Sequence, residues 1–340
     1  MTRYVVIGAG AVGAGLAAQL ELHGLPYVLV GRGAQIAHLA EHGLTYHRRG
    51  TATTVPLVTA AAPAEVTLTT DDVLVFTPKV QDLDAAVRDW AWQPVAGAPG
   101  RTAADLPVIT LQNGLDAERI ALRRFAHVWG ASLLTPARFT VIGEVVSGAA
   151  GPVGVLTIGR YPSGSDERLE SVAADLRAAE YIVQISDDVV RWKAAKIVHN
   201  VRNAVEVLSG DAEEKARIED ALVAETHAAL AAAGIEVADT VAERTEDLSE
   251  FRLDPDSGIR PGQQSTWQSF ARGVPAETDY LNGEIVLLGR LHGVDVPVNA
   301  AIQAVLGASS LAGEKPGTRT TTEVIAAAEQ AATLTGKAHS

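Results

Sequence analysis

A lysine and an asparagine lie one helical turn apart in the second half of the chain, in the run from Trp192 to Asn200. Trp192, Lys196 and Asn200 recur every four residues and therefore share one face of a helix. Apolar neighbours flank Lys196, and a lysine that is partly removed from water has a lowered pKa and can donate a proton near neutral pH. The pattern predicts a group that polarises and protonates a substrate oxygen. The alternative is a lysine that extends into solvent, as we expect for Lys193.

Three glycines near the N-terminus have the spacing of a dinucleotide-binding loop. The pattern Gly8-x-Gly10-x-x-Gly13 lies between an apolar strand and an Ala/Leu-rich helix, which is the context this motif requires. The first glycine permits a tight turn, the second lets a pyrophosphate approach the backbone, and the third allows close helix–strand packing. A glycine turn without a ligand is the alternative. The predicted cofactor contacts are Gly8, Ala9, Gly10, Ala11, Val12 and Gly13.

The end of the second strand distinguishes between the two nicotinamide cofactors. A site for NAD normally has an acidic residue there, which binds the ribose hydroxyls. This strand instead ends in Val30-Gly31-Arg32-Gly33, and a guanidinium can bind the 2′-phosphate that a carboxylate would repel. We therefore expect NADPH as the cofactor. The alternative is that Arg32 is a solvated loop residue.

Two further polar residues follow apolar strands. Lys79 comes after the strand Val73 to Phe76. Asn113 comes after the strand Val108 to Leu111, in the run Leu-Gln-Asn-Gly. The carboxyl ends of parallel strands meet at one edge of a sheet, where such folds bind ligands. Taken singly, Lys79 is a solvated charge and Asn113-Gly114 is a turn.

Composition limits the classes of function. The chain has 340 residues, no cysteine and a formal net charge of −13. The length predicts two domains, and the missing cysteine excludes disulfides, thiolate catalysis and Cys-ligated metal, so we expect no metal site. The acidic charge argues against nucleic acid. The sequence has no signal-peptide pattern and no bilayer-spanning apolar run, so we expect a cytoplasmic enzyme of small molecules, with no membrane partner. A homodimer is left open.

Short apolar strands alternate with helices up to Asp187, and the pattern beyond is almost wholly helical. We predict an α/β fold with a parallel-sheet nucleotide-binding domain over residues 1–187 and a helical substrate and dimerisation domain over residues 188–334. The polar stretch 243–264 is a long connection of the kind that forms active-site lids. The predicted strands are Arg3–Ile7, Tyr27–Val30, Val73–Phe76, Val108–Leu111 and Tyr181–Ile185, with β-rich segments between Val128 and Ile158. The predicted helices are Ala11–His23, Ile36–Glu41, Asp82–Trp90, Val189–Leu208, Ala212–Ala233, Glu277–His292 and Asn299–Leu306.

These motifs, in this order, resemble the ketopantoate reductases (2-dehydropantoate 2-reductases). The resemblance rests on the glycine loop, Lys79, Leu-Gln-Asn-Gly at 111–114, the Trp–Lys–Asn helix, Ser265, the run Glu277-x-Asp279-Tyr280-x-Asn282-Gly283, and Gly293-x-x-x-Pro297. Together the motifs span residues 8–297. The resemblance implies a Rossmann domain, an all-helical second domain and an NADPH-dependent reduction of a 2-oxo acid. Ketopantoate, in pantothenate biosynthesis, is the leading single substrate.

The resemblance also implies roles for the individual residues. Lys196 would be the general acid, and Glu277 would assist by orienting Lys196 or a water. Asn113 would contact the substrate or the nicotinamide amide, and Lys79 would lie near the nicotinamide. The remaining two would bind the substrate, Ser265 at its carboxylate and Asn200 at its distal hydroxyl.

One stretch departs from the family pattern. The family often has a second asparagine eight residues after the lysine, but this chain has Ala204 there, and Asn203 comes one residue early. On an α-helix these two positions differ by about 100°, which argues against a substitution by Asn203. Glu206 adds a negative charge where an anionic substrate is expected. The alternatives are a paralogue that reduces another keto acid or a specialised-metabolite ketone, and a non-catalytic NADP-binding module.

Overall fold

The chain divides into two units that are interleaved along the sequence. Unit 1 comprises residues 1–112, 116–190 and 240–259, and unit 2 comprises residues 113–115, 191–239 and the chain from residue 260 onwards. The computed structural model describes the backbone of residues 1–338 and the side chains of residues 1–331. The boundary expected at residue 187 stays a prediction. It assumed two contiguous domains, whereas both units are built from separate segments.

Within the described residues, every named strand lies in unit 1. The strands are β1 (Arg3–Ile7), β2 (Tyr27–Val30), β3 (Leu44–Arg48), β4 (Thr51–Val55), β5 (Thr59–Ala60), β6 (Asp72–Phe76), β7 (Pro107–Thr110), β8 (His127–Leu134), β9 (Ala137–Arg138), β10 (Glu144–Ser147), β11 (Gly154–Arg160) and β12 (Tyr181–Ile185). The helices of unit 1 are α1 (Ala11–Leu22), α2 (Gly33–His42), α3 (Val80–Ala91), α4 (Ala117–Leu122) and α5 (Glu167–Ala178).

Eight strands form one sheet in the order β12-β11-β8-β7-β6-β1-β2-β5. All neighbours pair in parallel except β8 and β11, which are antiparallel. Alternate residues of β1 enter different cores: Tyr4 and Val6 face the core containing α1 and α5, and Val5 and Ile7 face the core containing α3 and α4. Because both faces of the sheet are covered, its strands are continuous apolar runs. The predicted parallel-sheet domain is confirmed.

A second sheet of four strands, in the order β4-β3-β10-β9, was not predicted. The β-rich pattern between Val128 and Ile158 was expected at the far edge of the main sheet. Only β8 and β11 of that region join the main sheet, whereas β10 pairs with β3 of the β3–β4 hairpin and β9 pairs with β10. The hairpin residues Thr51 to Thr54 are exposed polar and small residues, and such a strand gives no apolar signal in the sequence.

Unit 2 is a helical bundle. Its helices pack around a core that contains Ile197, Leu222, Ile285 and Ile302, each completely buried. In the part of the chain that the structure describes, no helix is long and apolar enough to cross a bilayer. The helices are α6 (Val189–Asn200, which begins in unit 1), α7 (Ala212–Ala232), α8 (Ser265–Arg272), α9 (Asn282–His292), α10 (Pro297–Leu311) and α11 (Thr321–Ala338), and a 3₁₀ segment (Val201–Val207) follows α6 directly.

Most of the stretch expected to be a lid is attached to unit 1. The side chain of Gln184, on β12, donates to the carbonyl oxygen of Glu243 at 3.1 Å. Further along, the backbone N–H of Ala150 donates to the Arg252 carbonyl at 2.9 Å, and that of Asp254 donates to the Gly148 carbonyl at 2.8 Å. Residues 240–259 therefore form a strap (the name used below) that is hydrogen-bonded to unit 1, and residues 260–264 belong to unit 2.

Candidate active site

The glycine loop has the shape that its sequence predicts. Gly8 has a φ of 111°, and a Cβ there would lie 2.7 Å from Thr77 Oγ1. A Cβ at Gly13 would overlap the carbonyl oxygen of Gly8. By contrast, a Cβ at Gly10 would meet no protein atom within 4 Å. Gly8 and Gly13 are therefore required by the fold, whereas Gly10 keeps open the space in front of the backbone.

That open space lies at the N-terminus of α1. Gly10 is the residue before the helix, and because glycine has no side chain, no side-chain cap occupies this position. The first N–H groups of a helix have no intrahelical partner, and they carry partial positive charge. The residues present therefore fit a pyrophosphate group at Gly10, Ala11 and Val12. This fit follows from the shape and the donors of the loop.

Arg32 lies immediately after β2, at the residue before α2. Its side chain is 88% exposed, and its Nη2 atom lies 3.8 Å from Asp82 Oδ1 at the start of α3. Such a long, exposed ion pair contributes little energy. The guanidinium can therefore exchange this carboxylate for a phosphate, but its exposure is equally compatible with the solvated loop residue that was the alternative.

Thr77 and Gln112 connect the turns at the carboxyl edge of the sheet, and neither was predicted from the sequence. Thr77 Oγ1 donates within 2.9 Å of the carbonyls of both Ile7 and Gly8, which attaches the glycine loop to the end of β6. Gln112 Nε2 donates to the carbonyls of Phe76 and Pro78, each at 2.9 Å. Their position directly after strands β6 and β7 was the available signal. Lys79 ends the first of these turns as the residue before α3.

In unit 2, the structure brings Lys196, Asn200 and Asn113 together as one group. Lys196 and Asn200 occupy successive turns of α6, and Asn200 Nδ2 donates to Asn113 Oδ1 at 3.0 Å. Lys196 is partly buried, and this burial lowers the pKa of its ammonium to about 8. The predicted desolvated lysine is therefore present, one helical turn from an amide pair.

Two further side chains of α6, Lys193 and His199, differ in their exposure to solvent. Lys193, which was expected to extend into solvent, is only 3% exposed, so that prediction is wrong. The apolar face of α6 is wide enough to include it, which the four-residue spacing of Lys196 and Asn200 did not reveal. His199 keeps a solvent-accessible surface, but partial desolvation of its ring, together with the charges of Lys196 and Arg202, lowers its pKa.

The Glu277–Gly283 run is attached to the same part of unit 2. Glu277 is buried, at 8% exposure, and precedes a 3₁₀ turn over Thr278–Tyr280. A Cβ at Gly114, whose φ is 83°, would lie 2.7 Å from the Tyr280 carbonyl oxygen. Asn282 Nδ2 donates to the carbonyl of Val201 at 3.1 Å. The glycine after Asn113 thus permits close packing of the loop against the run that carries Glu277.

The departure from the family pattern has a different geometry from the one expected. Helix α6 ends at Asn200, and residues 201–207 form a 3₁₀ helix. A 3₁₀ helix has about three residues per turn, so residues i and i+3 are eclipsed. Asn203 therefore lies on the same face as Asn200. Adjacent residues of a 3₁₀ helix differ by about 120°, so the expected difference in direction between Asn203 and position 204 remains. Ala204 instead faces the core with Val201 and Val207.

Ser265 is the first residue of α8, and Gln264 precedes it. The backbone N–H of Gln264 donates to Glu206 Oε2 at 2.8 Å. Glu206 and Ser265 are thus connected through a single residue. The sequence predicted both as separate features, and their proximity came only from the fold.

Together these features define a class. A parallel-sheet domain with a glycine loop, followed by a helical domain that presents a lysine of lowered pKa, is the arrangement of a two-domain dinucleotide-dependent oxidoreductase. The family model for ketopantoate reductase PanE/ApbA matches residues 4–162, and the model for its C-terminal domain matches residues 190–310. The chain belongs to the ketopantoate reductase family and is an oxidoreductase.

Individual relatives are similar over most of their length. A 2-dehydropantoate 2-reductase of Pyrococcus horikoshii is 22% identical over 91% of this chain and 97% of its own length. One from Caulobacter vibrioides is 28% identical over 92% of this chain and 100% of its own length. Among solved structures, a PanE/ApbA family ketopantoate reductase from Ralstonia eutropha JMP134 matches with a TM-score of 0.73 at 24% identity, over 92% and 99%. A D-mandelate dehydrogenase with NADH and anilino(oxo)acetate matches with a TM-score of 0.72 at 19% identity, over the same shares.

Proposed function

We propose that this protein reduces a 2-oxo acid to the corresponding 2-hydroxy acid with NADPH, and that 2-dehydropantoate is its first candidate substrate, giving pantoate. The observation that carries the proposal is Lys196, whose pKa is lowered to about 8 by burial and which lies one helical turn from an asparagine pair. A general acid is most effective when its pKa lies near the working pH. A protein that only bound a dinucleotide would gain nothing from a desolvated lysine.

The cofactor would bind at the glycine loop, with its pyrophosphate at the N-terminus of α1 and its 2′-phosphate at Arg32. When bound, NADPH supplies a hydride. The open space at Gly10 supports the first contact, and the exposed guanidinium supports the second. The long ion pair to Asp82 would be replaced by a charge-assisted, bidentate contact to phosphate.

Lys196 would complete the reduction at the substrate carbonyl. As the carbonyl carbon accepts the hydride, negative charge develops on the oxygen, and the ammonium stabilises this charge and then donates its proton. One hydride and one proton convert the ketone to a secondary alcohol and leave NADP⁺ and a neutral lysine. Solvent must reprotonate that lysine before the next cycle. Partial burial favours the proton transfer because it lowers the pKa of the donor.

The remaining residues would orient the substrate. The Asn113–Asn200 hydrogen bond fixes both amides, and each retains hydrogen-bonding groups for a substrate hydroxyl or the nicotinamide amide. Asn203 would add a further amide on the same face. Ser265 at the start of α8 would bind the substrate carboxylate, and Glu277 would orient Lys196 or a water.

A second candidate is a paralogue that acts on a different 2-oxo acid or a ketone. Ala204 and Glu206 favour it, because both differ from the family pattern next to the amide group. The D-mandelate dehydrogenase, which has the same fold, was solved with NADH and anilino(oxo)acetate. Aryl 2-oxo acids and NADH therefore belong in the test.

The test is a panel of substrates and cofactors, and turnover is measured as the loss of reduced-cofactor absorbance. It contains 2-dehydropantoate, straight-chain, branched and aryl 2-oxo acids, and neutral ketones, each with NADPH and NADH. We expect turnover of at least one 2-oxo acid, with NADPH preferred, and we expect Arg32→Ala to weaken NADPH binding while leaving NADH binding unchanged. A protein that binds NADPH but oxidises it with no compound would be a binding module. Equal affinities for NADPH and NADH would remove the assignment of Arg32.

A further inference from the structure

A three-residue period organises the segment that follows α6. In a 3₁₀ helix every third side chain is eclipsed, so Asn200, Asn203 and Glu206 form one line, called here the polar row. The apolar residues Val201, Ala204 and Val207 form a second line and lie in the core of unit 2. The sequence of the segment fits this period, with an amide, an amide and a carboxylate on one face and three small apolar residues on another. The polar row therefore continues the face of α6 that carries Lys196.

The carboxylate at the end of the polar row is held in place. Glu206 Oε2 accepts the backbone N–H of Gln264 at 2.8 Å, and the Gln264 side chain donates to the same carboxylate. Gln264 is the residue before α8, and Ser265 follows it. The 3₁₀ segment and α8 also pack directly against one another. The carboxylate of Glu206, at one end of the polar row, is thus hydrogen-bonded to the residue that directly precedes Ser265.

The net effect of the surroundings of Glu206 is a raised pKa of its carboxyl group. Burial raises the pKa of its carboxyl group, whereas the two hydrogen bonds from Gln264 favour the ionised form and lower it. On α7, the charge of Glu219 raises the same pKa and that of Lys215 lowers it. A half-buried carboxylate with fixed hydrogen bonds repels a second negative charge more strongly than a solvated one does, because less water screens it.

We propose that Glu206 is a specificity-determining and positioning residue, which holds the start of α8 and makes the site select 2-oxo acids whose tail is uncharged over those with a second carboxylate. This inference rests on the proposed function, because it assumes that Lys196 and Asn200 face the substrate. A 3₁₀ turn advances about 6 Å, so a tail that extends past Asn200 meets Asn203 and then approaches Glu206. Amides accept a neutral polar tail, and the carboxylate disfavours an anionic one.

A matched pair of substrates isolates the charge of the tail. 2-Oxoglutarate and its 5-methyl ester have the same open-chain 2-oxo acid skeleton, but the first ends in a carboxylate and the second in a neutral ester. The variants are Glu206→Gln, which keeps an oxygen acceptor for Gln264 and removes the charge, and Glu206→Ala, which removes both. Asp220→Asn is the control, because it removes one negative charge from an exposed position on α7. Kinetic constants with NADPH and the melting temperature are measured for each protein.

The wild-type protein should favour the methyl ester over the carboxylate in kcat/KM by on the order of tenfold, since like charges in an interface are strongly disfavoured. Glu206→Gln should reduce this ratio at least several-fold, mainly through KM for 2-oxoglutarate, and Asp220→Asn should leave it unchanged. Glu206→Ala should raise KM for both substrates, because the start of α8 loses its hydrogen bonds. A ratio that is unchanged in a folded Glu206→Gln variant would overturn the inference.

Failure of the proposed function has a separate signature. If the wild-type protein oxidises NADPH with no 2-oxo acid of the panel, the proposed reductase activity is wrong. Calorimetry can then still decide whether Glu206 selects against a second carboxylate. Affinities of the two acids for wild-type protein and Glu206→Gln, with NADPH present, replace the kinetic constants. Tighter binding of 2-oxoglutarate to the variant, with unchanged binding of the methyl ester, would support the charge selection by Glu206. Equal affinities throughout, or no binding of either acid, would refute it.

Discussion

The glycine loop of unit 1 and the polar row of unit 2 are built in opposite ways. In the loop, the functional groups are backbone N–H groups, and the side chains matter because Gly8 and Gly13 have none. In the polar row, the functional groups are side chains, and their direction depends on a change from α to 3₁₀ geometry at Asn200. A loop of the first kind tolerates little change in sequence. In a row of the second kind, the substitution of one residue, or a change in the geometry of one helical turn, can alter the substrate specificity.

The largest expected effect comes from Lys196, the proposed general acid, which lies on the same face as the polar row. Lys196→Ala should lower kcat by about 10²- to 10⁴-fold, the usual contribution of general acid catalysis. NADPH affinity, measured by fluorescence titration, should stay unchanged because the glycine loop is untouched. Arg202→Gln is the control, since it removes an exposed cation from the following turn. Retained turnover in Lys196→Ala would assign the proton to another group.

The next effect separates the roles of two glycines in the loop. Gly10→Ala should leave the melting temperature unchanged but weaken NADPH binding by about 1.5–3 kcal/mol, the value of a hydrogen bond to a charged group. Gly13→Ala should reduce both, because its Cβ would overlap the Gly8 carbonyl, and overpacking costs about 1–3 kcal/mol. Thermal unfolding and NADPH titration measure the two quantities. Normal NADPH binding by Gly10→Ala would place the pyrophosphate elsewhere.

A pH profile examines the lysine without mutation. Since burial lowers the pKa of Lys196 to about 8, the ammonium is present below that pH and is lost as the pH rises through it. The kcat/KM for reduction should therefore fall above pH 8, approaching about tenfold per pH unit. The profile is measured at saturating NADPH. A rate that stays constant well above this pKa would show that Lys196 is not the acid.

The smallest effect concerns the direction of Asn203. Asn203→Ala should raise KM by about 3- to 10-fold with little change in kcat, which corresponds to one hydrogen bond of about 0.5–1.5 kcal/mol. Ala204→Asn, in the position of the family asparagine, should lower stability instead, because position 204 is only 2% exposed. Steady-state kinetics and thermal unfolding measure the pair. A fall in KM on Ala204→Asn would mean that the segment is α-helical in solution.

The same contrast explains what the sequence alone could predict. Strands β1, β2 and β12 were predicted with their observed bounds, since buried parallel strands are uninterrupted apolar runs. The β3–β4 hairpin was missed because its exposed residues lack such a pattern. Helix α8 was missed as well, because it is short and begins within a polar stretch.

The site was predictable to the extent that its spacing was helical. Lys196 and Asn200 lie on α6 as expected, and the loop containing Asn113 joins them through one hydrogen bond. The sequence could not reveal that helix type changes at Asn200, because small differences in backbone torsion separate α from 3₁₀ geometry. It also could not show that Gln264 connects Glu206 to α8, since residues 206 and 264 are distant in the chain. The roles of Ser265 and Glu277 remain predictions.

The strap has a consequence for how the protein is made. Unit 1 needs residues 240–259 to satisfy the backbone groups of Gly148 and Ala150, yet these residues are synthesised after the first helices of unit 2. The usual order, in which an N-terminal domain folds before the next one is translated, is therefore not available to this chain. Unit 1 can be completed only when residue 259 has left the ribosome, with α6 and α7 already emerged.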